Sequence, residues 1–174
     1  MELQEAIDFI DHPNLKQSKP GSWADFGCGD GLFTYALASL LPESSTIYAV
    51  DRSYHQMNKD FYPPHVDINF LLADFTMPQL ALPGLQGILM ANSLHYVKDK
   101  PAFLKQLKEY LQIPAHLLIV EYDTQRSNPW VPFPVHFSLL KKLLHSCGFN
   151  NVEKLRTRAS IYDQGNMYVA MAST

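Results

Sequence analysis

The sequence predicts an α/β domain, a mostly parallel open sheet covered by helices. Three observations lead there. Short apolar runs alternate with helical stretches along the chain. A glycine cluster, Gly27-Cys28-Gly29-Asp30-Gly31, separates the first predicted strand from the helix that follows it. Polar residues fall at or just after five predicted strand ends: Asp25, Asp51, Asp74, Asn92 and Glu121. Ligands of such sheets bind beyond the carboxyl ends of the strands, so this row marks a site.

The elements follow in order. Leu3, Ala6, Ile7 and Ile10 share one helical face, which predicts a short amphipathic helix within residues 2–11. Pro13, Pro20 and Gly21 break the chain. Residues 22–26 form a strand, 32–41 a helix stopped by Pro42, and 46–50 a second strand ending at Asp51. Ser53 is a candidate cap for a helix over 54–60. Residues 66–72 and 87–91 read as the third and fourth strands. Asp99 caps a helix running to about Leu111, with Pro101 in its first turn. Residues 116–120 are the fifth strand, followed by a Pro- and aromatic-rich loop from Tyr122 to Pro134. A helix over 135–146 stops at Gly148. Residues 152–160 and 167–172 pair as a hairpin across Asp163-Gln164-Gly165-Asn166.

Composition narrows the function. The chain has 174 residues, with 47% hydrophobic and 18% charged, the profile of one folded domain over 1–174. Net charge is −3 without a basic cluster, which argues against nucleic acid. No apolar run is long enough for a membrane span. Cys28 and Cys147 lack metal-ligand spacing and are expected as free thiols in a cytoplasmic protein without a secretory signal.

The glycine cluster carries the chemistry. Glycine permits a tight turn and a close ligand approach, and the following helix presents its N–H groups there. A dinucleotide turn wants G-x-G-x-x-G; here Leu32 occupies the last position and Gly31 comes one residue early. Asp25 and Asp30 would repel a pyrophosphate, whereas they suit an ammonium or sulfonium. A βα unit later, Asp51 is placed to accept hydrogen bonds from ribose hydroxyls.

These segments resemble the class I S-adenosylmethionine-dependent methyltransferases, in their small-molecule branch. The resemblance rests on residues 24–31, on Ala49-Val50-Asp51-Arg52-Ser53, on Leu72-Ala73-Asp74-Phe75, and on Asn92-Ser93-Leu94-His95-Tyr96-Val97 with Phe103-Leu104. It implies a three-layer Rossmann-like sandwich with a seven-stranded sheet in the order 3-2-1-4-5-7-6, strand 7 antiparallel. It implies S-adenosyl-L-methionine as cofactor. Asp25 would hold the methionine ammonium, partly through water, with the backbone of Gly27, Cys28 and Gly29 alongside. Asp51 would bind the ribose, with Arg52 beside the adenine. Asp74 would take the adenine amino group next to Phe75. Asn92 and Ser93 would add backbone contacts.

On the acceptor side the candidates are His95, Tyr96 and Glu121, with His136 as a structural helix-start residue. Tyr122, Trp130 and Phe133 are candidates for an apolar acceptor wall. The text after Asn92 departs from the Asn/Asp-Pro-Pro-Tyr of enzymes that methylate DNA or glutamine amino groups, and neither cysteine is placed for cytosine chemistry. A small molecule, or a protein side chain, remains as acceptor. The short stretch before the glycine cluster leaves the site open, which points to a large acceptor, a homodimer or a capping partner protein. Two alternatives stay open at this point: a non-catalytic scaffold or partner subunit that binds the same cofactor, and a nicotinamide-dependent oxidoreductase.

Overall fold

The sheet comprises β1 (Ser22–Phe26), β2 (Ser45–Asp51), β3 (Val66–Leu72), β4 (Leu85–Ala91), β5 (Leu111–Tyr122), β6 (Asn150–Ala159) and β7 (Asn166–Ser173). The computed structural model describes residues 1–55, 57, 61–77, 80–160 and 165–174. The strand order is β3-β2-β1-β4-β5-β7-β6, and β7 runs antiparallel to both of its neighbours. The remaining pairs are parallel. The order reverses between β1 and β4, so their carboxyl ends flank the crevice where a ligand fits. This is the seven-stranded, Rossmann-like arrangement expected above.

Helices α1 (Leu3–Ile10), α2 (Pro13–Lys16), α3 (Leu32–Leu40), α4 (Lys100–Lys108) and α5 (Phe137–Ser146) complete the layers. Strand side chains alternate between faces. Trp23 on β1 packs with Phe9 and Ile10 of α1 and Phe33, Ala36 and Leu37 of α3. Ala24 and Phe26, the alternate residues, pack with Phe103 and Leu107 of α4 and Leu140 and Leu144 of α5. The alternation also sends Asp25 toward α3, on the side of Trp23, which decides its partner below.

Several expected boundaries shift for local reasons. Pro13 opens α2 as well as ending α1, because a proline at the first helical position loses no bond and the His12 ring nitrogen caps the Asn14 N–H at 3.2 Å. Helix α4 starts at its Asp99 cap as expected but stops at Lys108, not Leu111. The chain there turns into β5, which begins five residues before His116. Its pairing with β4 is irregular between Leu85 and Gly87, and this accommodates Pro114, which has no N–H for a ladder. Tyr54, His55 and Met57 are not helical, and the other residues of the expected 54–60 helix, apart from Tyr54, His55 and Met57, lie outside the described residues. Asp163 and Gln164 of the expected hairpin turn also lie outside them. Among the described residues no helix joins β3 to β4, and none is long and apolar enough to cross a membrane.

Candidate functional site

The glycine loop is fixed by its neighbours on the sheet. The N–H groups of Gly27 and Cys28 donate to the Val50 carbonyl at 2.8 and 3.2 Å. The Gly29 N–H donates to Asp51 Oδ2 at 3.0 Å, and the Ser53 N–H donates to Asp51 Oδ1 at 2.9 Å. Asp51 thus ties the first loop to the second while each oxygen keeps a lone pair for a ligand. Gly27 has φ +83°, and a Cβ there would lie 2.5 Å from Ser93 Cβ, so β1 and β4 close up only around glycine. Gly29, at φ +50°, has nothing within 4 Å of an added Cβ. Its Cα faces open space, as a cradle for a ligand requires.

Asp25 is fully buried beside this loop. Its Oδ2 accepts the Thr34 hydroxyl of α3 at 2.7 Å, and its Oδ1 has no partner among the described residues. Burial pushes the carboxyl up from 3.8 to about 7; Thr34 opposes the rise and the Asp51 charge adds to it. The Cys28 thiol is driven above its ordinary range mainly by burial, with the nearby Asp25 and Asp51 charges adding, so it is no nucleophile at neutral pH. Cys28 and Cys147 are both free and buried.

Among the described residues, two clefts open at this sheet edge. The first, of about 360 Å³, is lined by Gly27, Asp51, Arg52, Ser53, His55, Asp74, Phe75, Thr76, Asn92, Ser93 and Tyr96. It brings together most of the residues expected on the cofactor side. Phe75 lies parallel to Phe26, with ring centroids 5.7 Å apart. Asp74 Oδ1 accepts the N–H and hydroxyl of Thr76. The Ser93 hydroxyl donates to the Phe26 carbonyl, which leaves its backbone as the part that meets a ligand. The second cleft, of about 330 Å³, is lined by Met1, Glu5, Leu32, Phe33, Asn92, Tyr122, Arg158, Ala159 and Met167.

The acceptor-side candidates separate. Tyr96 is half exposed and lines the first cleft. His95 and Glu121 are buried together and line neither cleft. The His95 backbone N–H donates to Glu121 Oε1 at 2.9 Å, and His95 Nδ1 lies 2.8 Å from Oε2. An ionised carboxylate only accepts, so Nδ1 carries the proton. Tyr122 lines the second cleft, whereas Trp130 is 79% exposed. Phe133 anchors its loop instead: its N–H donates to the His95 carbonyl, and its own carbonyl accepts from Lys100 Nζ at 2.7 Å. His136 sits at the start of α5.

Sequence reasoning passed over the contributions of four residues. His55 Nδ1 is 3.0 Å from Asp30 and its Nε2 3.6 Å from Asp51, at the mouth of the first cleft. Its signal was a histidine four residues after the second-strand acid. Thr34, the only fixed partner of Asp25 among the described residues, lies one turn into the helix after the loop. Glu5 and Arg158, 3.4 Å apart, join α1 to β6 at the second cleft, a pairing that no local pattern reveals.

Comparisons with known proteins bear on this geometry. Residues 2–164 match the model of a family described as "Methyltransferase domain". Among solved structures, the chain is similar to the 1,6-didemethyltoxoflavin-N1-methyltransferase of Burkholderia thailandensis, crystallised with 1,6-didemethyltoxoflavin and S-adenosylhomocysteine. Identity is 14% over 99% of this chain and 77% of that one, with TM-score 0.71. A SAM dependent methyltransferase from Aquifex aeolicus gives 17% identity over 99% and 98%, TM-score 0.60. One from Archaeoglobus fulgidus gives 16% over 99% and 91%, TM-score 0.66. At these identities the likeness is one of fold. No curated protein matches the chain.

Proposed function

We infer how the site works from one premise: this chain belongs to the methyltransferase domain family. It is an S-adenosylmethionine-dependent methyltransferase, and its 174 residues act as one domain. When bound, the cofactor supplies an activated methyl group on its sulfonium sulfur.

The observation that carries this reading is the meeting at one sheet edge of Gly29, whose Cα faces open space, Asp51, which holds the Gly29 N–H, and a buried Asp25 oxygen with no partner among the described residues. A cationic amino-acid head group meets that carboxyl's need for a counter-charge, through water where the oxygen has no open surface. Asp51 takes the ribose hydroxyls. Asp74 and Phe75, with Arg52 in the lining of the same cleft, hold the adenine. The backbones of Gly27, Cys28, Asn92 and Ser93 line the methionine part. The first cleft has the volume of a small-molecule site.

The second cleft, joined to the first at Asn92, takes the acceptor. Its apolar walls at Leu32, Phe33 and Met167 suit a small molecule better than a charged protein side chain. Tyr96 stands at the reaction face. Glu121 and His95 are positioning residues that fix the turn after β4. Rate enhancement then comes chiefly from alignment, which can supply ~7–11 kcal/mol. The open side of the second cleft is covered by a second copy or a partner protein, and a monomer by light scattering that turns over alone would remove that part. Two free, buried thiols agree with a cytoplasmic setting.

Calorimetric titration with S-adenosylhomocysteine, with NAD as control, tests the cofactor assignment. Micromolar binding of the first and none of the second is expected; the reverse preference would overturn it. Asp51→Ala loses a charge-assisted bond pair to the ribose, and the affinity should fall by ~2–4 kcal/mol.

A further inference from the structure

At the opposite edge of the sheet, the amino ends of β1, β4 and β5 frame another cleft among the described residues, of about 600 Å³. Its wall is built across three adjacent strands. Trp23 of β1, Gly87 of β4 and His116 of β5 stand in register. Gly87 leaves room for the indole, since a Cβ there would lie 2.3 Å from Trp23 Cζ3. Gln86 sits at the irregularity between Leu85 and Gly87, and its Nε2 donates to the Pro20 carbonyl at 3.4 Å. That bond assigns the amide's other end, Oε1, as an acceptor still to be used.

Three buried polar atoms of this wall have no hydrogen-bond partner among the described residues: Trp23 Nε1, Gln86 Oε1 and His116 Nδ1. The first is a donor, the second an acceptor, and a neutral imidazole nitrogen serves as either. Burial, with His12 nearby adding to it, holds the His116 ring below its ordinary range, so it is neutral at pH 7. Buried polar atoms are nearly always paired, and three unpaired ones around one cleft ask for a ligand that supplies both partners. No carboxylate among the described residues lines the cleft, which disfavours a cation. An anion would meet the Gln86 oxygen, and the fixed charge in the lining, Lys19, is an exposed surface lysine.

We propose that this cleft is a second ligand site, separate from the methyl-transfer edge, for a neutral planar heterocycle of the lactam type: its ring N–H donates to Gln86 Oε1 and its carbonyl accepts from Trp23 Nε1–H. His116 Nδ1 takes a further polar group of the ring. The indole N–H cannot rotate and the Gln86 amide is tethered, so a rigid donor–acceptor pair binds with less ordering cost than a flexible polyol. Pro114 and Ile113, the latter 87% exposed, give apolar surface to the ring. The three atoms are closed off from solvent, so binding includes small side-chain turns in the cleft wall, which are common. Trp23 lies four residues before Gly27, roughly 13 Å along the strand, so the site stands or falls apart from the cofactor reading.

The indole N–H signal of the full chain, followed by nitrogen-15 NMR, tests this. The chain has two tryptophans, and Trp130→Phe, at an exposed position away from the cleft, leaves Trp23 as the reporter. Titration with 2-pyridone should move the Trp23 Nε1–H signal saturably, with millimolar affinity. N-methyl-2-pyridone keeps the carbonyl and lacks the donor, and should bind roughly fivefold more weakly. Gln86→Met keeps the side-chain length without the amide and should bring the two probes to equal affinity. Saturating S-adenosylhomocysteine should leave the 2-pyridone titration in place. No saturable shift up to the solubility limit would show a cleft that holds only water and overturn the proposal. Equal binding of both probes to the wild-type cleft, discrimination that survives Gln86→Met, displacement by S-adenosylhomocysteine, or a saturable response to glycerol in place of 2-pyridone would each overturn it as well.

Discussion

Two carboxylates sit buried on the same sheet, Asp25 on β1 and Glu121 on β5, both with 0% exposure. Glu121 is satisfied: His95 N–H, His95 Nδ1–H and Tyr122 N–H all reach its two oxygens, at 2.9, 2.8 and 3.3 Å. Asp25 receives one hydroxyl, and its other oxygen has no partner among the described residues. Burial alone therefore does not mark a binding carboxylate. The satisfied one spends its charge on holding the turn after β4. The other, half neutral near pH 7, is held ready for a cation.

Breaking the satisfied member should have the largest effect on folding. Glu121→Ala strands the His95 donors in the core and should cost ~3–5 kcal/mol in urea denaturation, while homocysteine-analogue affinity of the folded fraction stays within about twofold. A loss under 1 kcal/mol with abolished cofactor binding would reverse the roles of the two carboxylates. Asp25→Asn should act in the opposite sense. The folded state keeps Asp25's proton up to about pH 7 and the unfolded chain loses it near 3.8, so stability falls as pH rises through that window. The substitution removes that penalty and should stabilise the protein at pH 8, by on the order of 4 kcal/mol at most. The same variant should bind S-adenosylhomocysteine at least ~10-fold more weakly. Trp130→Ala marks the lower end. The side chain is mostly in solvent, so stability should move by less than ~0.5 kcal/mol and cofactor affinity not at all.

The same contrast explains what the sequence could show. Strand ends are legible because apolar runs stop at acids, and so the sheet, the glycine loop, Asp25 and Asp51 were all in view. The roles of Asp25 and Glu121 were not separable, because each depends on donors far along the chain: Thr34 nine residues on, and His95 twenty-six residues back. Boundaries failed where proline has two uses. Pro13 starts a helix under a His12 cap, and Pro114 sits within β5 beside an irregular stretch of its pairing with β4. The aromatic loop misled for a different reason. Its composition suits a pocket wall, but Phe133 is turned to anchoring through its own backbone, and of Tyr122, Trp130 and Phe133 it is Tyr122 that lines one of the two clefts at the strands' carboxyl edge among the described residues.

The most direct test of the Asp25 assignment is the pH dependence of S-adenosylhomocysteine affinity between pH 5.5 and 8, measured calorimetrically on wild type and Asp25→Asn. An ionised Asp25 should be the binding form. The wild-type affinity should then weaken progressively below about pH 7, approaching tenfold per pH unit, with proton release on binding, while the variant's weaker affinity stays flat. A wild-type affinity that is level across this range, or a variant with the same slope, would contradict the account.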